Sequence, residues 1–290
     1  MDLAYYPGCS LSQSAKLYNH QTDLIFSKLD IHLKEINDWN CCGATSVSKI
    51  NDFMAVALSA RNLGIAESSG AAEIVIPCSA CYSRTLVAHQ RLLDDQVLTA
   101  HINGSLAKKV EGNIKVSSIV EILLRIIAAD DFDPPHKAKL TDLVPVCYYG
   151  CMSTRFPYQV KVPDDVENPQ GMEKVLQALE VEALDWNYKV RCCGASASVY
   201  DPEIAFKLMA KIIRDALSWG ANCIVTNCPM CQMNLDAHQD NVCKKFNIKE
   251  RLPVYFITEL LGIALGFSEK ELLIDKHFIK GPGLPKKSEE

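Results

Sequence analysis

The sequence has few of the features that mark secreted, membrane-spanning or nucleic-acid-binding proteins. Its first residues contain neither the basic nor the apolar stretch of a secretory signal peptide. The longest apolar stretches, 119–129 and 257–267, are much shorter than a membrane span and contain charged residues. The formal net charge of −5 argues against a surface of clustered Lys and Arg. We therefore expect a soluble, cytoplasmic protein without a membrane span that does not bind nucleic acid.

Two common redox motifs are absent as well. The chain has no G-x-G-x-x-G for a flavin or nicotinamide, and it lacks the C-x2-C-x2-C-x3-C-P run that binds cubane clusters. It has instead 13 cysteines among 290 residues. In a reducing compartment so many cysteines are unlikely to form structural disulfides, so metal binding or thiol chemistry is the expected role.

The two halves of the chain repeat each other. YYPGC at 5–9 returns as YYGC at 148–151 with one residue missing, CCG at 41–43 returns at 192–194, and the C-x-x-C of 78–81 returns at 228–231. The offsets of 142 to 151 residues indicate one long unit used twice rather than a short-period repeat. We predict one domain over 1–130 and a second, with a polar C-terminal tail, over 144–290, because Asp133-Pro134-Pro135 interrupts a helical pattern between them.

Within each unit, short apolar strands alternate with helices. In the first unit we predict strands at 3–6, 33–36 and 73–76, and helices at 13–29, 52–68 and 83–93, with Asp52 capping the second helix. This order predicts an α/β fold of parallel βαβ units. The duplication further predicts two similar lobes related by a pseudo-two-fold axis.

Ten of the cysteines lie at equivalent places in the two units. Each group follows a predicted strand, and the carboxyl ends of parallel strands share one edge of a sheet, so five thiols can meet in each unit. The glycine after each Cys-Cys pair permits a tight turn. Each C-x-x-C lies where a strand passes into a helix, whose N-terminus stabilises thiolates. The groups are Cys9, Cys41, Cys42, Cys78 and Cys81, and Cys151, Cys192, Cys193, Cys228 and Cys231.

Several kinds of site compete to explain these cysteines. Buried apolar cysteines would account for one or two positions, not for ten in a repeated pattern. A thioredoxin-like pair would use each C-x-x-C but leave the adjacent cysteines without a role, since neighbours bridge poorly. Structural zinc needs four ligands and could use a subset. Soft thiolates without a histidine pattern favour iron–sulfur clusters, and five thiols exceed the four that a cubane takes.

Three further cysteines, Cys147, Cys223 and Cys243, have no counterpart in the first unit. Buried structural roles are expected for them. Cys147 lies four residues before Cys151, so a peripheral role at the second group stays open.

The spacing C-x31-CC-x35-CxxC, followed by C-x40-CC-x34-CxxC, resembles that of the cysteine-rich CCG domain. A chain made of two such domains resembles the B subunit of heterodisulfide reductase, and the resemblance extends from residue 3 to about 267. CCG domains also occur in subunits of glycolate- and lactate-oxidising systems and in relatives tied to sulfur oxidation. The motif is therefore more specific for the domain than for the substrate.

The resemblance implies that each group of five cysteines holds a noncubane [4Fe-4S] cluster. It also implies that the disulfide of coenzyme M and coenzyme B binds between the clusters and is reduced to two thiols. Because the chain lacks the redox motifs named above, electrons must come from other subunits, which in the family are a ferredoxin-like C subunit and a flavin-containing A subunit.

The coenzyme pair is anionic, so its pocket needs cations. Arg84, Arg155 and Arg191 each lie within four residues of a site cysteine and are candidates for substrate binding. Two other functions stay open: electron transfer for a hydroxy-acid dehydrogenase or a sulfur-oxidising complex, and a zinc-stabilised interaction scaffold.

Overall fold

In the described part of the first half, four parallel strands form one sheet. The structure, a computed structural model, describes residues 1–44, 46–129 and 132–281. The strands are β1 (Asp2–Tyr5), β2 (His32–Glu35), β3 (Glu73–Ile76) and β4 (Lys115–Ser118), in the spatial order β2-β1-β3-β4. The helices are α1 (Gly8–Ser12), α2 (Lys16–Lys28), α3 (Val47–Ile50), α4 (Asp52–Ser68), α5 (Ser79–Asp94), α6 (Gln96–Ser105) and α7 (Ile119–Ile127).

Residues 132–281 repeat this arrangement with a three-stranded parallel sheet of order β5-β6-β7. Its strands are β5 (Pro145–Tyr148), β6 (Cys223–Thr226) and β7 (Val254–Phe256), and its helices are α8 (Gly171–Ala178), α9 (Pro202–Ser218), α10 (Pro229–Ala237), α11 (Gln239–Lys245) and α12 (Ile257–Ala264). Short 3₁₀ turns cover Lys137–Leu140 and Ile274–Lys276. A single parallel bridge between Val146 and Leu184 stands where the first sheet has β2.

Five of the seven strands in the described residues are almost fully buried, as parallel sheets covered by helices require. All residues of β5, β6 and β7 are buried, and so are three of the four residues of β1 and of β3. By contrast β2 lies at an edge, where no residue is fully buried. The predicted α/β fold with parallel sheets is confirmed. The strand predicted at 73–76 is found there, and those predicted at 3–6 and 33–36 lie one residue earlier.

Three details of the predicted helices are wrong. The helix predicted from residue 13 begins at Lys16, because a separate short helix, α1, precedes it. The helix predicted from residue 83 begins at Ser79. Asp52 does not cap α4: Asn51 has the extended backbone of an N-cap, and its side chain accepts a hydrogen bond from the Met54 N–H at 2.9 Å.

One hydrophobic cluster spans the two halves, and a second cluster lies within the second half. The ring of Tyr18 on α2 stacks on that of Phe256 on β7, with centroids 3.9 Å apart. The neighbouring Gln21 donates a hydrogen bond to the buried Glu259 on α12 at 2.6 Å. Packing of α7 against α8 adds a second contact between the halves. The predicted boundaries at 130 and 144 stay a prediction; residue 130 and the tail from 282 to 290 lie outside the described residues.

Within the described ranges, no helix combines the length and the apolar character that a bilayer crossing requires.

Candidate metal centre

Eight of the ten predicted cysteines lie beyond the carboxyl end of a strand, and the pair at 192–193 follows the bridge residue Leu184 instead. In the first unit, Cys9 is in α1 directly after β1, the pair at 41–42 is in the loop after β2, and Cys78 is the N-cap residue of α5. In the second unit, Cys151 follows β5 and Cys228 is the N-cap residue of α10. The second cysteine of each C-x-x-C lies in the first turn of its helix. The parallel strands therefore bring three distant segments of each unit to one edge of its sheet.

The five thiols of the first unit form a connected group. The sulfurs of Cys9 and Cys41 are 3.8 Å apart. Hydrogen bonds then connect Cys41 to Cys42, Cys42 to Cys81 and Cys81 to Cys78. Cys9 and Cys41 are exposed, whereas the other three are buried. This group thus reaches from the protein interior to the surface.

The second unit gathers its thiols in a similar way. The sulfurs of Cys193 and Cys231 are 3.5 Å apart, and Cys231 is also hydrogen-bonded to Cys228. Cys151 is hydrogen-bonded to Cys192, and it interacts electrostatically with Cys193 and Cys228. Cys151 and Cys192 are half-buried and the other three are buried. All five predicted residues of this unit are therefore close to one another.

A glycine before the first cysteine of each group makes room for a sulfur. Gly8 and Gly150 both have a φ of +69°, which only glycine adopts without strain. A Cβ on Gly8 would lie 2.7 Å from the Cys81 sulfur, and one on Gly150 would lie 2.8 Å from the Cys231 sulfur. The turns predicted from the sequence involve only the glycines after each Cys-Cys pair, but the repeated Gly-Cys at 8–9 and 150–151 is a sequence signal for this contact as well.

A buried tyrosine anchors each Cys-Cys loop. The Tyr6 hydroxyl donates to the carbonyl of Asn40 at 2.8 Å, and the Tyr148 hydroxyl donates to the carbonyl of Arg191 at 2.5 Å. Each acceptor immediately precedes a Cys-Cys pair. Tyr6 and Tyr148 are therefore equivalent, so Pro7 corresponds to Tyr149. The prediction that YYGC at 148–151 lacks one residue of YYPGC at 5–9 is therefore wrong, because residues 6–9 correspond to residues 148–151 without a gap.

Neighbouring groups stabilise one thiolate in each Cys-Cys pair. Hydrogen bonds with Cys41 and Cys81 lower the pKa of Cys42 well below its ordinary range, although burial opposes them, and Arg84 contributes to the shift. A hydrogen bond with Cys151 lowers the pKa of Cys192 to about 6 against the effect of burial, with help from Arg155. Since the thiolate is the form that binds metals, these thiols are prepared for coordination.

The three predicted arginines have different surroundings. Arg84 donates to the Ala44 carbonyl at 2.6 Å and, as its effect on the Cys42 pKa indicates, lies near the first group. Arg155 likewise lies near the second group, as its contribution to the lowered pKa of Cys192 indicates. Arg191 lies over the ring of Tyr188, 5.7 Å from its centroid. The structure therefore brings Arg84 and Arg155 to the thiol groups, and Arg191 packs on an aromatic ring.

The donor set of each unit suits an iron–sulfur cluster better than a harder metal, because it consists of thiols alone. Within the described residues, no three or more His, Cys, Asp or Glu side chains are arranged as the ligands of a metal ion.

The three cysteines outside the groups are buried: Cys147 is in β5, Cys223 in β6 and Cys243 in α11. Burial raises the pKa of Cys223 to about 12, which keeps this thiol protonated.

The two groups meet at the contact between the units. Cys231 lowers the pKa of Cys228, and the Ser79 hydroxyl, next to Cys78 of the other group, contributes to this shift, so Ser79 lies near Cys228. Ser153, two residues after Cys151, donates to Ser79 at 2.9 Å. No sequence signal pointed to this pair of serines, because the contact depends on how the two units pack.

Comparisons with known proteins agree with the geometry. A family model described as a cysteine-rich domain, CCG, matches residues 3–84 and again residues 146–236. The 8-methylmenaquinol:fumarate reductase membrane anchor subunit of Wolinella succinogenes is 32% identical, over 96% of this chain and 97% of its own length. The B subunit of the ferredoxin/F(420)H(2)-dependent CoB-CoM heterodisulfide reductase of Methanosarcina acetivorans is 29% identical, over 96% and 94%.

Among solved structures, a hypothetical protein from Helicobacter pylori has a TM-score of 0.79 at 14% identity. The match covers 96% of this chain and 52% of the other, so this chain spans about half the length of that protein, and the likeness concerns the fold alone. The resemblance carried by the cysteine spacing is confirmed, and the chain belongs to the cysteine-rich CCG domain family, whose domain it contains twice.

Proposed function

We propose that this chain is the catalytic subunit of an oxidoreductase complex that reduces the disulfide of coenzyme M and coenzyme B to two thiols in the cytoplasm. One observation carries the proposal: the two groups of five thiols adjoin the contact between the units, where Ser79, next to Cys78, is hydrogen-bonded to Ser153 and influences the pKa of Cys228. Each group, as given above by residue, would hold one noncubane [4Fe-4S] cluster. The clusters would supply electrons one at a time, and a disulfide needs two.

The electrons would reach this chain from a ferredoxin-like C subunit, supplied in turn by a flavin-containing A subunit. The exposed thiols Cys9 and Cys41 mark the side on which such a donor can approach the first group. The heterodisulfide reductase relative supports this assignment, since its name places it as one subunit of a larger enzyme.

A groove beside the first group supports an anionic substrate. Lys49, Arg84 and Arg91 line it on one side, and Tyr158 of the second unit lines it on the other. Asp52 forms an ion pair with Arg91 at 2.8 Å, which leaves a net positive charge along the groove. Guanidinium and ammonium groups bind sulfonate, phosphate and carboxylate through charge-assisted hydrogen bonds. The side chains of this groove would thus hold the charged end of the disulfide near the first cysteine group.

The first test is the content of iron, sulfide and zinc in the chain purified without oxygen. Two clusters require about eight iron atoms and matching sulfide per chain. Addition of the coenzyme M–coenzyme B disulfide should then change the cluster spectrum. About one zinc per chain with little iron after reconstitution would reject the proposal and favour the scaffold.

Substitution of one ligand in each group tests whether both are required. Cys9→Ser and Cys151→Ser should each abolish disulfide reduction while the circular dichroism spectrum is retained. Cys243→Ser is the matched control, because Cys243 is a free thiol outside both groups. Full activity in both ligand variants would contradict the mechanism.

A second candidate follows from the relative of highest identity given above, a subunit of a menaquinol:fumarate reductase. This chain would then pass electrons between a quinol and a partner that reduces fumarate, and it would not bind a disulfide. In that case a quinol would reduce the clusters and the heterodisulfide would leave their spectrum unchanged. The opposite pair of results would favour disulfide reduction.

A further inference from the structure

A second cavity, here called the interlobe cleft, lies between the two units. Its apolar walls come from Ile76, Val120 and Leu124 of the first unit and from Val162, Pro163 and Pro169 of the second. The rings of Tyr82 and Tyr149 also line it. Such walls suit an apolar, flat molecule, because aromatic rings pack well against tyrosine and proline.

The cleft reaches both cysteine groups. Pro77 and Ser79, which flank Cys78, line it, and so does Asn227, which immediately precedes Cys228. A molecule in the cleft would therefore lie within one residue along the chain of a thiol from each group. The basic groove is a separate cavity, because none of its lining residues lines the cleft.

Two buried polar side chains in the cleft have no partner. Asn227 is 4% exposed and Thr154 is 6% exposed, and neither the Asn227 Oδ1 nor the Thr154 Oγ1 has a hydrogen-bond partner. Buried polar atoms of this kind are rare, because an unsatisfied one costs about 1–3 kcal/mol. The amide oxygen can only accept, so a ligand that satisfies it must donate, for example through a hydroxyl group.

The charges around the cleft exclude anions. Glu121, Asp164 and Asp165 line it, and each carboxylate is fixed by main-chain N–H groups, for example Asp164 by the N–H of Gly171 at 2.7 Å. Within the described part of the chain, no Lys, Arg or His lines this cleft. An anionic ligand would meet three carboxylates without a counter-charge.

We propose that the interlobe cleft binds an uncharged aromatic alcohol, the class to which quinol rings belong, with its hydroxyl group toward Asn227 and Thr154. The site is distinct from the groove that would hold an anionic disulfide, and it does not depend on which electron acceptor the chain serves.

The test uses probes that are not reduced or oxidised by the clusters. Isothermal titration calorimetry on the full cluster-containing chain would compare 1-naphthol, naphthalene and 1-naphthalenesulfonate. We expect 1-naphthol to bind most tightly. Naphthalene should bind about 2–10-fold more weakly, the value of one hydrogen bond. The sulfonate should bind at least tenfold more weakly. Equal affinity for the neutral and the anionic probe, or no binding of 1-naphthol, would overturn the proposal.

Three variants test whether 1-naphthol binds in the cleft. Leu124→Trp fills the cavity and should remove 1-naphthol binding, whereas Ile127→Trp, also half-buried on α7 but outside the cleft, should retain it. Thr154→Val should weaken 1-naphthol but leave naphthalene unchanged, which a general loss of structure would not do. Unchanged binding in Leu124→Trp would reject the site.

Iron content and the heterodisulfide response are measured on the same samples. If both are normal and 1-naphthol does not bind, only the cleft proposal fails. If 1-naphthol binds and the heterodisulfide has no effect, only the disulfide proposal fails.

Discussion

Gly8 and Gly150 show how single residues set the geometry of the cysteine groups. An added methyl group at either position would overlap a cysteine sulfur. We expect Gly8→Ala and Gly150→Ala each to displace one ligand and lower the iron content toward that of a single cluster, measured after anaerobic reconstitution.

Two other glycines separate this effect from backbone strain. Gly70 and Gly220 also have left-handed backbones, with φ of +79° and +82°, but a Cβ there would meet no atom within 4 Å. Gly70→Ala and Gly220→Ala should therefore lower stability slightly and leave the iron content unchanged. A loss of iron in these controls would mean that strain, not the sulfur contact, explains the result.

The buried pair of Glu259 and His277 makes stability depend on pH. Burial by itself lowers the pKa of His277, but the carboxylates of Glu259 and Asp236 outweigh it and raise the pKa above 6.5. A histidine with a raised pKa stabilises the fold fully below its unfolded pKa, and the contribution is lost as the pH rises through the folded pKa. Urea unfolding should show the free energy of unfolding falling as the pH rises above about 6.5.

Glu259→Gln should remove that fall and lower the free energy of unfolding by about 3–5 kcal/mol, as expected when one partner of a buried pair is lost. Glu121→Gln is a matched control, because Glu121 accepts a main-chain N–H at the equivalent helix start in the first unit. This control should retain the pH dependence. If Glu121→Gln also lost the pH dependence of stability, groups other than the pair of Glu259 and His277 would cause that dependence.

At the scale of the element, the caps of α4 and α9 are the clearest test. Both helices have 17 residues and follow a Cys-Cys loop, and Asn51 and Asp201 cap them through a main-chain N–H three residues on. Asn51→Ala and Asp201→Ala should each cost about 0.5–2 kcal/mol in thermal or urea unfolding. Asn51→Asp preserves an acceptor and should cost much less; an equal loss would argue against the capping role.

The sequence predicts most elements of the first unit because their patterns are local. Strand 73–76 is a short apolar run between turns, and helix 52–68 has both periodicity and a cap. The assignment of the cap to Asp52 failed because Asn51 and Asp52 are both good capping residues, and only the backbone angles separate them. In the second unit, the counterpart of β2 is only a bridge at Leu184. The sequence could not predict this difference, because edge strands have weak sequence preferences.

The two halves of the molecule should stay associated even when the chain between them is cut. Tyr18, Gln21, Phe256 and Glu259 join the halves in the core. We expect that a protease site inserted after Pro135 can be cut without separating the halves. The two fragments should elute together on size exclusion and retain their iron. Separate elution would show that each half has an independent core.

The arrangement of the two cysteine groups is the part that the sequence could not give. The ten cysteines could be predicted from a repeated pattern, because eight of them lie after a local strand and the other two after the bridge residue Leu184. The contact of Ser79 with Ser153 and Cys228, and the apolar cleft beside it, depend on packing between residues far apart in the chain. Neither periodicity nor spacing carries information about that packing.

The shared core has a kinetic consequence. Because both cysteine groups belong to one folded chain, each meets the other at an effective concentration that is set by the fold and not by the amount of protein. A step that uses both groups is therefore first order in the chain, and its rate per molecule does not change on dilution. Two separate chains with one unit each would have to associate before the same step, and their activity would fall as they were diluted apart.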